Sequence, residues 1–156
     1  MSESKPKFQC PIESISSLIG ESWTLLILRE AFAGRTQFKI FEHELGIARN
    51  ILSDRLKKLV EAGLLSRQTN PEDRRAVDYR LTSKGKALLP SLIVLAQWAN
   101  QHLCSSNAGV RFIDIESGDE IAPVRLTSGS GATVALKNVR MRIGDQLVEP
   151  SVLRRA

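Results

Sequence analysis

The sequence predicts a mainly helical α+β fold, and three observations carry that expectation. Apolar residues recur at helical spacing in four segments between Pro11 and Ala62, and glycines stand at their ends (Gly20, Gly34, Gly46 and Gly63). From Leu64 to Leu81 the pattern changes to strand-like runs around a polar loop of turn formers. A second long helical stretch ends near Leu103, after which short alternating runs are punctuated by Gly and Ser. The expected architecture is a helical front, one hairpin, a long C-terminal helix and a small β-hairpin tail.

Each element has its own signal. Pro11 opens the first helix, where its missing N–H costs nothing, and Ile12, Ile15, Leu18 and Ile19 form one stripe before Gly20. The second segment, Trp23 to Phe32, is apolar nearly all round and therefore belongs in the middle of a core. Thr36 is the expected cap of a short third helix, with Phe38, Phe41 and Leu45 facing inward and Gly46 closing it. A tight turn through Ile47 leads to a fourth helix from about Ala48 to Ala62. Its Leu52, Leu56, Leu59 and Val60 share a face, and Gly63 is at C′. Ala48 stands where a Ser or Thr cap is expected.

Two short helices joined through a glycine-containing turn form a helix-turn-helix. The strands expected over Leu64–Gln68 and Ala76–Leu81 follow at once, with a loop between them that ends in Arg74-Arg75. A helix-turn-helix followed by a hairpin with a basic tip is a winged helix. Thr82 then caps a long fifth helix marked by Leu88, Leu92, Leu95, Ala99 and Leu103. Leu89, Ile93, Ala96 and Trp98 widen its stripe, and it is expected to serve dimerisation together with the first helix.

Three domain segments follow: residues 1–9 as a disordered arm, 10–104 as the winged helix-turn-helix with its dimerisation helices, and 105–156 as a small β-rich extension. In the extension, short runs at Val110 and Phe112, Val124 and Leu126, Val134 and Leu136, and Val139 to Ile143 are expected to pair as hairpins. They hold too little apolar mass to fold alone, so the extension is expected to lie against the main domain or a partner subunit.

Of the 156 residues, 42% are hydrophobic and 25% charged, as in a globular chain and unlike a disordered one. The longest apolar stretch, Ala87 to Ala96, is interrupted by Pro90 and Ser91, so no membrane span is expected. The first nine residues lack the apolar region of a signal peptide. Two cysteines are too few for a disulfide framework, which points to a reducing, cytoplasmic compartment. The net charge of +5 is localised. Residues 49–86 hold ten Lys and Arg against five Asp and Glu, so the remaining charges cancel. A local basic excess is the footprint of a polyanion, or else a solvated face.

On the fourth helix the buried leucines turn Arg49, Asn50, Ser53 and Lys57 outward or toward its start. N-terminal residues of a recognition helix reach base edges in the major groove. Arg pairs bidentately with guanine and Asn with adenine, which makes Arg49 and Asn50 the base-reading candidates. Ser53 and Lys57 are candidate phosphate contacts, with Thr36 and Lys39 secondary to them. Arg55 either reaches phosphate or pairs with an acidic residue inside the domain. Arg74 and Arg75 at the wing would follow the backbone or enter the minor groove, unless they neutralise Glu72 and Asp73. The expected partner is double-stranded DNA.

The chain resembles the HxlR-type winged helix-turn-helix transcriptional regulators, which are structurally related to the MarR regulators. The resemblance rests on Cys10-Pro11, on Gly20-Glu21-Ser22-Trp23-Thr24-Leu25-Leu26-Ile27-Leu28-Arg29, on Phe38 and on Ile51-Leu52-Ser53-Asp54-Arg55-Leu56. It continues through Glu61-Ala62-Gly63-Leu64-Leu65 to Tyr79-Arg80-Leu81-Thr82 and Gly85, covering Cys10 to about Leu103. It implies homodimers on near-palindromic operators, usually of a neighbouring gene. Some members carry Cys-Gly knuckles in a C-terminal extension that resemble a zinc ribbon. Here those turns read Ser117-Gly118 and Ser128-Gly129, no cysteine follows Cys104, and neither metal nor cofactor is expected.

In relatives the residue matching Cys10 senses oxidants or electrophiles such as quinones. Its place before Pro11 sets the sulfur near free backbone N–H groups, a setting that favours thiolate. A small apolar filler is the competing role. A second hypothesis makes the chain a ligand or electrophile sensor with weak DNA binding, in which Trp23, Phe32 and Trp98 line an apolar pocket. A third makes it a protein-interaction module built on the fifth helix. Enzyme readings find no support. His43 and His102 belong to no catalytic arrangement, and Gly129-Ser130-Gly131 lacks the Lys-Ser/Thr of a phosphate loop.

Overall fold

Helix α1 (Pro11–Ile19) begins at Pro11 and is closed at Gly20, whose N–H donates to the Ser16 carbonyl at 2.9 Å. These elements belong to a computed structural model that describes residues 10–70, 73–104, 109–143 and 145–148. The arm expected over residues 1–9 lies outside the described residues, as do Pro71 and Glu72 of the wing loop. Two compact units emerge, one ending at Ala96 and the other beginning at Gln97. The division falls inside a helix, ahead of the boundary expected at residue 104.

The core of the first unit is built where the stripes predicted it. Helix α2 (Thr24–Phe32) contributes Ile27, Leu28 and Ala31, α3 (Phe38–Leu45) contributes Phe41, and α4 (Arg49–Glu61) contributes Leu52, Leu56 and Leu59. Ile47 from the turn and Leu64 and Leu65 from the wing entry complete it. Helix α2 is less uniformly apolar in its surroundings than predicted. Leu26 is exposed, and Glu30 is buried with the Arg29 guanidinium 2.6 Å away. Trp23 precedes α2 with φ 77, a left-handed conformation that costs about 1–3 kcal/mol for a non-glycine residue and left no trace in the periodicity.

Between α3 and α4, Gly46 takes the left-handed φ of 59 that ends α3, Ile47 is buried, and Ala48 starts α4 without a side-chain cap. At the other end of α4 the Leu64 N–H donates to Leu59 O and the Gly63 N–H to Val60 O, both at 2.9 Å, closing the helix in a Schellman motif. The chain then forms an antiparallel hairpin, β1 (Leu65–Thr69) on β2 (Val77–Leu81), with Leu65 opposite Leu81 and Thr69 opposite Val77. A third short stretch joins it, because Gln37 bridges Asp78 and the Tyr79 N–H donates to Thr36 O at 2.7 Å.

That bridge corrects the expected cap of α3. Gln37, not Thr36, holds the N-cap position. Thr36 is extended beside β2, where its hydroxyl donates to Asp78 Oδ1 at 3.3 Å. The single long fifth helix is corrected too. Thr82 caps as predicted, its Oγ1 accepting from the Gly85 N–H at 3.0 Å, but the helix it opens, α5 (Ser83–Lys86), is short. Helix α6 (Leu89–His102) starts afresh after Ala87 and Leu88. Pro90 explains the break: it offers no N–H, and its ring would clash with the Lys86 carbonyl, so it fits only the first turn of a new helix.

In the second unit the extension is tied to the end of α6 by amide side chains. Gln97 Nε2 donates to the Ile121 and Ala122 carbonyls at 3.0 and 3.1 Å, and its Oε1 accepts from the Val124 N–H at 3.2 Å. Asn100 Nδ2 donates to Val110 O at 2.8 Å. The strand pair β3 (Met141–Ile143) and β4 (Gln146–Val148) and single bridges at Ile113–Glu120 and Thr127–Thr133 supply its β structure. Leu136, read as part of an alternating run, instead starts a short 3-10 turn, Leu136–Asn138. No helix among the described residues is long and apolar enough to cross a membrane.

Candidate nucleic-acid interface

The register of the hairpin and the turn before α4 bring four separate stretches of chain to one open cleft of about 420 Å³. Lys39 comes from α3, Arg49 from the start of α4, Arg67 from β1 and Arg75 from the wing loop, with Phe38 and Tyr79 among the walls. Arg67 and Tyr79 sit opposite each other in the strand pair. Among the described residues Asp73 is the one acid lining the cleft, and its carboxylate is engaged by the Arg75 backbone N–H at 2.9 Å. Among the described residues, Lys39, Arg67, Arg74 and Arg75 form no ion pair.

At the start of the recognition helix, Arg49 is three-quarters exposed, and its guanidinium carbon lies 5.2 Å from the centroid of the Phe38 ring. The stacking leaves the fork of N–H donors directed outward, with Glu42 only loosely placed at 3.9 Å. Asn50 and Ser53 are exposed beside it. Lys57 is exposed as well, with Glu61 at 3.8 Å one turn on. The four recognition-helix candidates therefore share a solvent-facing surface.

Arg55 is placed differently. It is mostly buried, its guanidinium pairs with Glu21 and with Asp54 at 2.7 Å, and its Nε donates to Ser22 O at 3.3 Å. Of the two roles open to it, the internal pairing is the one observed. Lys58 joins the same network, 3.0 Å from Glu21 and 3.3 Å from Asp54, and the hydrogen bonds it donates to these carboxylates raise its pKa. Thr36 is likewise engaged through its hydroxyl with Asp78.

Beneath the cleft lies a buried carboxylate. Asp78 accepts from Arg80 Nη2 at 2.7 Å, Asn70 Nδ2 at 3.0 Å and Thr36 Oγ1 at 3.3 Å. The Arg80 guanidinium, then the Asn70 amide, hold its carboxyl below the usual aspartate range. The sequence reading missed this knot and also missed Arg67. Arg67 was visible only as one of ten basic residues, and placing it on the cleft needed the strand register.

Cys10 is exposed at the N-cap of α1, with its carbonyl accepting from Ser14 N and Oγ at 3.0 and 3.1 Å. It fills no core in the single chain. Phe32 lines an apolar crevice with Leu28, Leu88 and Leu92 that has room for about 10 Å³, and Trp23 is not among its walls. Trp98 belongs to the second unit, where its ring lies 5.2 Å from that of His102. The Ser-Gly turns of the extension are closed by polar bonds, from the Ser117 hydroxyl to Asp114 at 2.9 Å and between Ser128 and Ser130 at 2.8 Å. Among the described residues no group of three His, Cys, Asp or Glu is placed to hold a metal ion.

A winged helix-turn-helix with an open cationic cleft defines a class, that of DNA-binding regulators. The family model of the HxlR-like helix-turn-helix matches residues 18–107, and the chain belongs to that family. Mb3122 of Mycobacterium bovis, an uncharacterized HTH-type transcriptional regulator, is 39% identical over 128 residues, which cover 73% of this chain and 81% of that one. The HTH-type transcriptional regulator YodB of Bacillus subtilis is 38% identical over 94 residues, covering 59% and 84%. Among solved structures, that of PA1607 superposes with a TM-score of 0.81 at 34% identity, covering 87% of this chain and 96% of that one. Reduced YodB gives a TM-score of 0.55 at 32% identity, covering 64% and 100%, and YodB is also known in diamide-treated and quinone-bound forms. By family the chain is a transcriptional regulator, not an enzyme.

Proposed function

We propose that this protein is a cytoplasmic homodimer that binds a near-palindromic operator. Arg49 and Asn50 read bases, Ser53, Lys57 and Lys39 contact phosphates, and Arg74 and Arg75 follow the DNA at the wing. The observation that carries this reading is the cleft between recognition helix and wing, where Lys39, Arg67 and Arg75 face solvent without an acidic partner among the described residues. Arg55 is left out of the contact set because Glu21 and Asp54 hold it. In this reading residues 10–104 bind DNA and dimerise, and 105–156 are an appended module.

The dimer is supported by α1 and α6, which are rich in Ile and Leu yet bury no residue within the single chain. Ile12, Leu95 and Trp98 are exposed on them. A second copy covers those faces in the assembly proposed here. Switching is assigned to Cys10, because this residue is exposed whereas the crevice at Phe32 has room for only about 10 Å³. YodB, with its diamide-treated and quinone-bound forms, gives the chemistry to try first.

Selection from a random duplex pool tests the reading. The recovered site is expected to hold two inverted half-sites about 10–10.5 bp apart, or a multiple of that. Five base pairs inserted between them should abolish binding, and undiminished binding would show a monomeric reader. On that operator, diamide should weaken binding by wild type and leave Cys10→Ser unaffected. An equal response in Cys10→Ser would remove the sensor role.

A further inference from the structure

Arg75 stands at the end of a chain of hydrogen bonds that starts inside the protein. The buried Asp78 carboxylate accepts from Asn70 Nδ2 at 3.0 Å. The Asn70 side-chain oxygen in turn accepts from the Asp73 N–H at 3.1 Å, and Asp73 Oδ1 accepts from the Arg75 N–H at 2.9 Å. Each link crosses from a better packed residue to a more exposed one. Asp78 is 1% exposed and Asn70 9%, whereas Asp73 and Arg75 are on the surface. Asp78 is itself fixed by Thr36, ahead of α3, and by Arg80 on its own strand. The relay thus refers the position of a wing cation to the helix-turn-helix, not to the loop alone.

We propose that Asn70 and Asp73 are positioning residues that set Arg75 against the DNA backbone, with Asp78 as their anchor. This rests on the DNA-binding reading above. Neither Asn70 nor Asp73 is asked to touch DNA; each acts through the Arg75 backbone. A loop tip left to itself samples many conformations, and ordering it before binding removes that cost from the complex. The role also accounts for an acid in the cleft: Asp73 spends its carboxylate on a backbone N–H, which leaves the Arg75 guanidinium unpaired among the described residues.

A double-mutant cycle on a fluorescent random-sequence duplex separates positioning from mere support. Asn70→Ala and Arg75→Ala should each weaken binding by roughly tenfold, as expected for a charge-assisted contact. Each should also lower the salt slope by about 0.9, the value for one phosphate contact. The double variant should bind no more weakly than Arg75→Ala alone. Losses that multiply in the double variant, or an Asn70→Ala protein with wild-type affinity and slope, would overturn the proposal. Should Asn70→Ala fail to melt cooperatively, Asp73→Ala completes the same cycle with the buried pair intact. Wild type that binds no duplex at any salt would defeat the DNA-binding reading itself, an outcome distinct from additive losses in a protein that does bind.

Discussion

Two groups of cations on the first unit look alike in the sequence and differ in the structure. Arg55 and Lys58 on α4 meet Glu21 and Asp54, which neutralise them and join the entry of α2 to the recognition helix. Lys39, Arg67 and Arg75 meet water across an open cleft. The first group gives its charge to the fold, and the second leaves it unpaired among the described residues, as the proposed DNA-binding role requires. A net charge of +5 therefore says less about binding than the location of the acids does.

The sharpest break of this comparison is the double variant Arg67→Ala/Arg75→Ala. It should lose roughly a hundredfold in affinity for any duplex, and its salt slope should fall by about 1.8, or two phosphate contacts. Its melting temperature should stay within a degree or so, since neither side chain supports the core. Titrations of a labelled duplex at several salt concentrations, beside a thermal melt, read both quantities. Arg55→Ala should show the reverse. Loss of a half-exposed network costs about 1 kcal/mol, which is about 4–8 °C in a domain of this size, with the salt slope unchanged. If Arg55→Ala lowered the slope instead, the two groups would not be distinct.

The third test concerns Asp78 and is read through its pH dependence. Its folded pKa lies below the unfolded value of about 3.9, so its contribution to stability is fully present above that pH and is lost as the pH falls through the folded pKa. Asp78→Asn should melt below wild type at pH 7, and the gap should narrow below about pH 4. Equal gaps at both pH values would mean that the carboxylate charge is not what holds the knot.

Local rules made much of this fold legible. Gly46 and Gly63 close α3 and α4, Thr82 caps α5, and the wing strands fall within a residue or so of their predicted bounds, because each of these signals acts over a few residues. The failures are long-range or compete with a stronger pattern. Thr36 looked like a cap because its partner, Asp78, lies more than forty residues away. The leucine repeat ran on through Pro90 and concealed the break that separates α5 from α6. At the candidate site, the exposure of Arg49 and Asn50 follows from the leucine face of α4. Arg67 and the pairing of Arg55 depended on strand register and on Glu21, which periodicity does not reveal.

The seam between the two units falls within α6, between Ala96 and Gln97, and it bears on how this chain can be cut and recombined. A graft of the extension onto another regulator at the helix end would leave behind Gln97 and Asn100, the side chains that satisfy the Ile121, Ala122 and Val110 carbonyls. The transferable cassette therefore begins mid-helix. Conversely, a deletion at residue 104 opens the Gln97 and Asn100 amides to water, which satisfies them, so a minimal regulator can keep both residues.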